Sequence, residues 1–178
     1  RSATESSSFT LSEDCAPGPE PLPVAGYVPL TPRRILDSRA DPSLNVGPYN
    51  TVWGPATERM IDATTPLSGV PSDATAVAVN VTTVNATAPF SWLTVYPANQ
   101  FRPTAAAVNF GTSSLTSPIM NDLVVTKIDR EGRFEIYNEA GNTNIVIDLV
   151  GYYTTAPESG AYVAVVPERI LDSRSDET

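Results

Sequence analysis

A thirteen-residue motif occurs twice in this chain, and its spacing limits the fold more than any other feature. Tyr27-Val28-Pro29-Leu30-Thr31-Pro32-Arg33-Arg34-Ile35-Leu36-Asp37-Ser38-Arg39 returns as Tyr162-Val163-Ala164-Val165-Val166-Pro167-Glu168-Arg169-Ile170-Leu171-Asp172-Ser173-Arg174. The offset is 135 residues, and nine of the 13 positions are identical without a gap. Residues 27–161 therefore read as one complete unit and 162–178 as the first strand of a following one. A period of 135 lies far above the roughly 20–50 residues of solenoid repeats, so each unit is expected to fold as its own domain. The expected parent is a longer tandem array; otherwise the chain ends on a lone first strand.

The unit is written in β-sheet residues. The chain holds 20 Thr and 18 Val against a single Lys, with 17 Pro and 10 Gly to make turns. No window carries a helical stripe of apolar residues at i, i+3, i+4 and i+7. Instead, short alternating runs recur between turn signals. Val77, Val79 and Val81 oppose Ala78, Asn80 and Thr82 within 75–84, and Trp92, Thr94 and Tyr96 oppose Leu93 and Val95 within 91–96. Further strands are expected over 27–36, 59–63, 105–110, 122–128, 133–137 and 144–153. Asp129-Arg130-Glu131-Gly132 is expected to be a hairpin loop with Gly132 in the left-handed position. About eight strands in one unit predict an all-β antiparallel sandwich of jelly-roll-like type.

Residues 1–26 read differently. Ser and Thr dominate the first dozen, and Pro17, Pro19, Pro21 and Pro23 follow. Such a stretch cannot bury enough apolar surface to offset its ordering entropy, so an extended linker or docking arm is expected. It contains the single cysteine, Cys15, so no disulfide can form within the chain. Cys15 is either a solvated thiol or a partner for a cysteine elsewhere, in an intermolecular disulfide or with an upstream segment since removed. The acidic residues before it disfavour a lipid anchor.

Composition excludes several classes. Histidine is absent, which removes the commonest general base, the commonest zinc ligand and every Ser-His or Cys-His pair. The net charge of −9 disfavours a phosphate backbone, so no nucleic-acid partner is expected. No apolar run of 18 residues predicts membrane insertion. The opening residues lack the apolar core of a signal peptide, as a mature or trimmed secreted product would. No cofactor motif and no calcium loop of alternating acids is present.

The repeated opening resembles that of a secreted actinobacterial repeat module. Ala76-Val77-Ala78-Val79-Asn80-Val81-Thr82, Leu93-Thr94-Val95-Tyr96-Pro97-Ala98, Arg102-Pro103, Val108-Asn109-Phe110, Tyr137-Asn138 and Asp148-Leu149-Val150-Gly151-Tyr152-Tyr153-Thr154 extend the resemblance over 27–154. The resemblance implies modules strung in tandem or attached to secreted hydrolases, with accessory or cell-surface roles. It carries no catalytic residues onto this chain, and the linker with Cys15 departs from it.

Two sets of side chains stand out. Asp148 interrupts the apolar run 145–150, where a carboxylate is costly unless paired. Asp148 or Asp37 is expected to pair with Arg34 or Arg39 and so pin the first strand to the last, since an arginine fork matches a carboxylate. A catalytic or ligand role for these carboxylates is the weaker alternative. Among the aromatics, Trp53, Trp92, Tyr96 and Tyr153 are the candidate ligand or partner contacts, with Phe101 and Tyr152 beside them. Trp53, in a loop-like stretch before Gly54-Pro55, is expected to be the most exposed. Core packing of Trp92 and Tyr152, and edge cover by Tyr96 and Tyr153, are the alternatives.

These readings predict a non-enzymatic extracellular module, secreted or on a cell surface, acting as a spacer, fibre or adhesive element. Its expected partners are neighbouring repeats or like chains, engaged through residues 162–178. The rival expectation is a carbohydrate-binding accessory domain that holds a secreted hydrolase on a cell-wall or other polysaccharide.

Overall fold

In the computed structural model, residues 25–114, 116–156 and 160 are described. Cys15, most of the expected linker, and the second copy of the repeated motif lie outside them. Among the described residues there are eight strands and no helix: β1 (Gly26–Asp37), β2 (Thr57–Asp62), β3 (Ala76–Val84), β4 (Ser91–Pro97), β5 (Val108–Phe110), β6 (Met120–Lys127), β7 (Arg133–Asn138) and β8 (Asn144–Thr154). They form two antiparallel sheets, ordered β1-β8-β3-β6 and β2-β7-β4-β5. Of the seven links between successive strands, only β4–β5 stays within one sheet. That interleaving is the two-Greek-key arrangement of a jelly roll.

Alternation explains which face of each strand is buried. On β3, Val77, Val79 and Val81 point between the sheets, and on β8 Ile145, Ile147 and Leu149 meet them. The second sheet answers with Ile61, Leu93, Val108, Phe110, Phe134 and Ile136. A bulge then changes the parity of β8. Ala78 pairs with Gly151 but Val79 pairs with Leu149, so Val150 is the extra residue. Tyr152 therefore joins the core, and Tyr153 turns outward against Tyr27, with ring centroids 5.2 Å apart.

The strand β1 lies at a sheet edge and is irregular for a related reason. Pro29 pairs with Gly151 and Arg33 with Leu149, so three residues of β1 span what one residue spans on β8. The prolines at 29 and 32 are tolerated at such an edge because, among the described residues, no further strand requires their missing N–H groups. Gly151 is needed where it stands, because a Cβ there would strike the Tyr27 ring, whose hydroxyl donates to the Val150 carbonyl at 3.0 Å.

Three expectations need correction. The 129–132 turn does place Gly132 at φ 79°, but it does not close a hairpin. Its flanking strands β6 and β7 belong to different sheets, so the turn carries the chain across the sandwich. Asp129 shapes it by accepting the backbone N–H groups of Glu131 and Arg133 at 3.0 and 2.8 Å. The strand expected over 105–110 is only three residues long, and that expected over 59–63 begins two residues earlier, at Thr57.

A buried amide ties one end of the sandwich together. Asn138 is fully buried. Its Nδ2 donates to the carbonyls of Trp53, Gly54 and Gly141 at 3.1, 2.9 and 2.9 Å, while its Oδ1 accepts from Ser91 Oγ at 3.2 Å. Removing the amide strands several buried acceptors at once. Asn138→Ala is expected to lower the unfolding free energy by about 3 kcal/mol in urea titrations; a loss below about 1 kcal/mol would show that water replaces the amide.

Candidate functional site

Two constellations contain the residues singled out by sequence. The first lies where β1 meets β8. Strand register sets Arg34 opposite Asp148. Arg34 Nε and Nη2 donate to the two Asp148 oxygens at 2.9 and 3.2 Å. Arg34 Nη1 also reaches Asp37 Oδ2 at 3.3 Å. Arg39 closes on Asp37 from the other side, with Nε on Oδ1 at 2.8 Å and Nη2 on Oδ2. The structure thus brings all four residues into one network joining the first and last strands.

Solvent exposure gives that network its character. The Asp37 side chain is 0 % exposed, while those of Arg34, Arg39 and Asp148 are 39 %, 28 % and 26 % exposed. Hydrogen bonds from the Arg39 side chain and then its backbone N–H hold the Asp37 carboxyl below the usual carboxylate range, against the opposing pull of burial. Both Asp37 oxygens are engaged, so the carboxylate is committed to structure. Next to it, Ser38 Oγ accepts the Ile145 N–H at 2.9 Å and extends the lock between the strands.

The aromatic expectations fare unevenly. Trp53 is not exposed. It is fully buried in the core, forms an isolated bridge with Thr143, and donates its indole N–H to the Ile136 carbonyl at 3.2 Å. The Arg59 guanidinium covers its ring at 4.3 Å and caps the Thr51 and Val52 carbonyls. Local loop chemistry pointed outward; the gap at the end of the sandwich took the large side chain inward. Tyr96 is also sealed, at 3 % exposure, so neither ring is offered to a ligand. Tyr153 is half-buried and borders a shallow hollow with Ala25, Ala76 and Val125. Tyr152 is core, as one sequence alternative had it, but Trp92 is not.

The second constellation is built around Trp92 on the outer face of the second sheet. Leu93 points into the core, so its neighbours Trp92 and Thr94 point away from it. Register places Trp92 beside Asn109 of β5 and Thr94 beside Tyr137 of β7. The 98–107 connection folds back over this face and sets Arg102 above the Tyr137 ring at 3.6 Å. Phe90, just before β4, stands 6.1 Å from Trp92, tilted by 52°. The result is a cleft of about 400 Å³ walled by Trp92, Phe90, Tyr137, Arg102, Asn109 and Glu139. Burial, together with the Glu139 carboxylate, pushes the Tyr137 phenol above its ordinary value, so it stays a neutral hydrogen-bonding group.

Sequence reasoning selected Trp92 and missed Phe90, Arg102, Tyr137, Asn109 and Glu139 as its neighbours. Arg102-Pro103, Val108-Asn109-Phe110 and Tyr137-Asn138 were visible as motifs, but what joins them is sheet order. Among the described residues no three His, Cys, Asp or Glu side chains gather as a metal site would require. No protein-family model matches the chain, and no curated protein matches it in sequence.

The ion network makes a prediction with a defined sign. A depressed folded pKa contributes stability above the unfolded value near 4 and loses it as pH falls through the lower folded value. Asp129, whose shift has the same direction, adds to this acid limb. Stability is therefore expected to hold from pH 7 to about 5 and to fall below about 4. Asp37→Asn should cost about 2 kcal/mol at pH 7, less than for a sealed pair because the arginines are partly hydrated. Its deficit against the native chain should shrink toward pH 2 in urea titrations; a deficit independent of pH would show that the charge contributes nothing.

Proposed function

We propose that this chain is a non-enzymatic extracellular repeat module, secreted or held at a cell surface, that serves as a spacer, fibre or adhesive element. The observation carrying this reading is the match between what repeats in sequence and what is engaged inside the fold. Of the positions shared by 27–39 and 162–174, Leu36, Asp37 and Ser38 are fully buried. Tyr27 and Arg34 make strand-to-strand contacts, and Arg39 holds Asp37 within the same network. Of the four positions that change, Pro29, Thr31 and Arg33 are exposed and Leu30 is half-buried. Duplication has thus kept the residues that close a sandwich. That is the pattern of a building unit used repeatedly, and the resemblance to secreted actinobacterial tandem modules agrees with it.

The exit from β8 supports the same reading. Gly160 pairs with Tyr27 on the outer edge of β1 through two backbone hydrogen bonds of 3.1 and 3.2 Å. Tyr162, the sequence counterpart of Tyr27, follows two residues later. A junction this short, tied to the sheet, favours successive units in a set orientation. If residues 162–178 added to the sheet edge of a like chain in the same way, the contact would be heterologous and could build an open fibre. Size-exclusion chromatography and electron microscopy of the full chain should show head-to-tail assemblies that vanish when residues 162–178 are deleted. Unchanged assembly in the shortened chain would contradict this role for the duplicated segment.

A second reading is favoured by a different observation, the aromatic cleft around Trp92. It suits a carbohydrate-binding accessory module that keeps a secreted hydrolase on its polysaccharide. Trp53 is unsuited to test this, because truncating a buried tryptophan costs about 3–5 kcal/mol and perturbs the fold. Trp92→Ala is the informative variant: polysaccharide pull-down should be lost while the melting temperature stays close to that of the native chain. Equal retention of both proteins on every polysaccharide would count against the reading.

A further inference from the structure

We propose that the cleft on the outer face of the second sheet holds a linear, uncharged glycan across at least two consecutive sugar rings; this rests on the carbohydrate-binding reading and goes on to name the ligand. Length is the first argument. The Trp92 hollow adjoins a second, larger one of about 760 Å³, and Phe90 and Asn109 line both. The two hollows lie side by side along shared walls, a trough together longer than a single sugar needs.

The trough's chemistry changes along its length in a way that suits a chain of sugars. At one end Trp92 presents ring surface, beside a Tyr137 ring that Arg102 covers. Phe90, 54 % exposed, stands at the junction, its plane turned 52° from that of Trp92. Two tilted aromatic planes match two sugar rings that twist about a glycosidic bond, each laying an apolar C–H face on a ring. Beyond Phe90 the wall becomes Ser113, Thr116 and Ser117. Ser113 and Thr116 there bond each other and Ser117 Oγ accepts the Ile119 N–H, so the Ser117 hydroxyl proton and the exposed Asn109 amide are what they leave for sugar hydroxyls.

Charge decides which glycan. The trough holds one guanidinium, Arg102, and one carboxylate, Glu139. Arg102 lies over the Tyr137 ring at 3.6 Å, which already satisfies part of its field. No cation is in excess, and the chain as a whole carries −9. A polyuronate or sulfated chain would meet net repulsion, whereas an uncharged hexose or N-acetylhexosamine polymer meets none.

The test is an array of linear oligosaccharides, neutral and charged, followed by calorimetric titration of the full chain. The expected result is binding of a neutral hexasaccharide at least about ten-fold tighter than its monosaccharide. Phe90→Ala and Trp92→Ala should each weaken the hexasaccharide by about ten-fold or more with little change in melting temperature, while Phe90→Tyr keeps binding. Three results would overturn the inference but leave a carbohydrate-binding module standing: equal affinity for the two lengths, binding confined to charged glycans, or no effect of Phe90→Ala. Silence across the whole array would remove both.

Discussion

A carboxylate with no solvent exposure, that of Asp37, is the constraint around which this sandwich closes. A charge taken out of water is tolerated only where opposite charge and hydrogen bonds meet it. Here they come from both sides, Arg39 from the residues after β1 and Arg34 from within it. Arg34 in turn grips Asp148, so the demand of one buried charge is passed to the last strand. The network acts chiefly on register. Slipping β1 by one residue would take Arg34 from Asp148 and exchange the environments of Leu36 and Asp37, one apolar and one charged.

Once first and last strands are joined, the remaining strands have little freedom. The links cross between sheets, and each sheet sets its apolar alternation toward the other. The polar end is handled separately by Asn138, whose amide collects carbonyls from segments distant in sequence. The outer face of the second sheet is then released from the core, with Trp92 and Asn109 turned toward the trough. A fold whose interior is secured by its two ends can present an aromatic surface on one side and still be joined to a like unit.

Much of this was legible before any coordinates. The turn at Gly132 and all eight strands followed from residue type and alternation, because these are local properties. The pairing of Arg34, Asp37, Arg39 and Asp148 was also foreseeable, since an aspartate inside an apolar strand demands a partner and nearby arginines are the suitable ones. Three features escaped. The β8 bulge shifts parity by one residue, and nothing in the run 145–154 marks where the extra residue falls. The 129–132 turn has the same residues whether it joins neighbours or crosses between sheets. Trp53 stands among loop-forming residues, yet the space it fills is made by strands far away in sequence.

By itself, then, the sequence determined the β-rich class, the strand positions and the need for a buried ion network. These follow from propensity, periodicity and the cost of burying charge, all of which act over a few residues. The tertiary structure alone decided which strands lie side by side. It therefore decided that Phe90, Trp92, Arg102, Asn109, Tyr137 and Glu139, spread over some fifty residues of chain, border one trough. The physical reason is that adjacency across a sheet is fixed by the crossing connections between strands, and no short-range pattern encodes those.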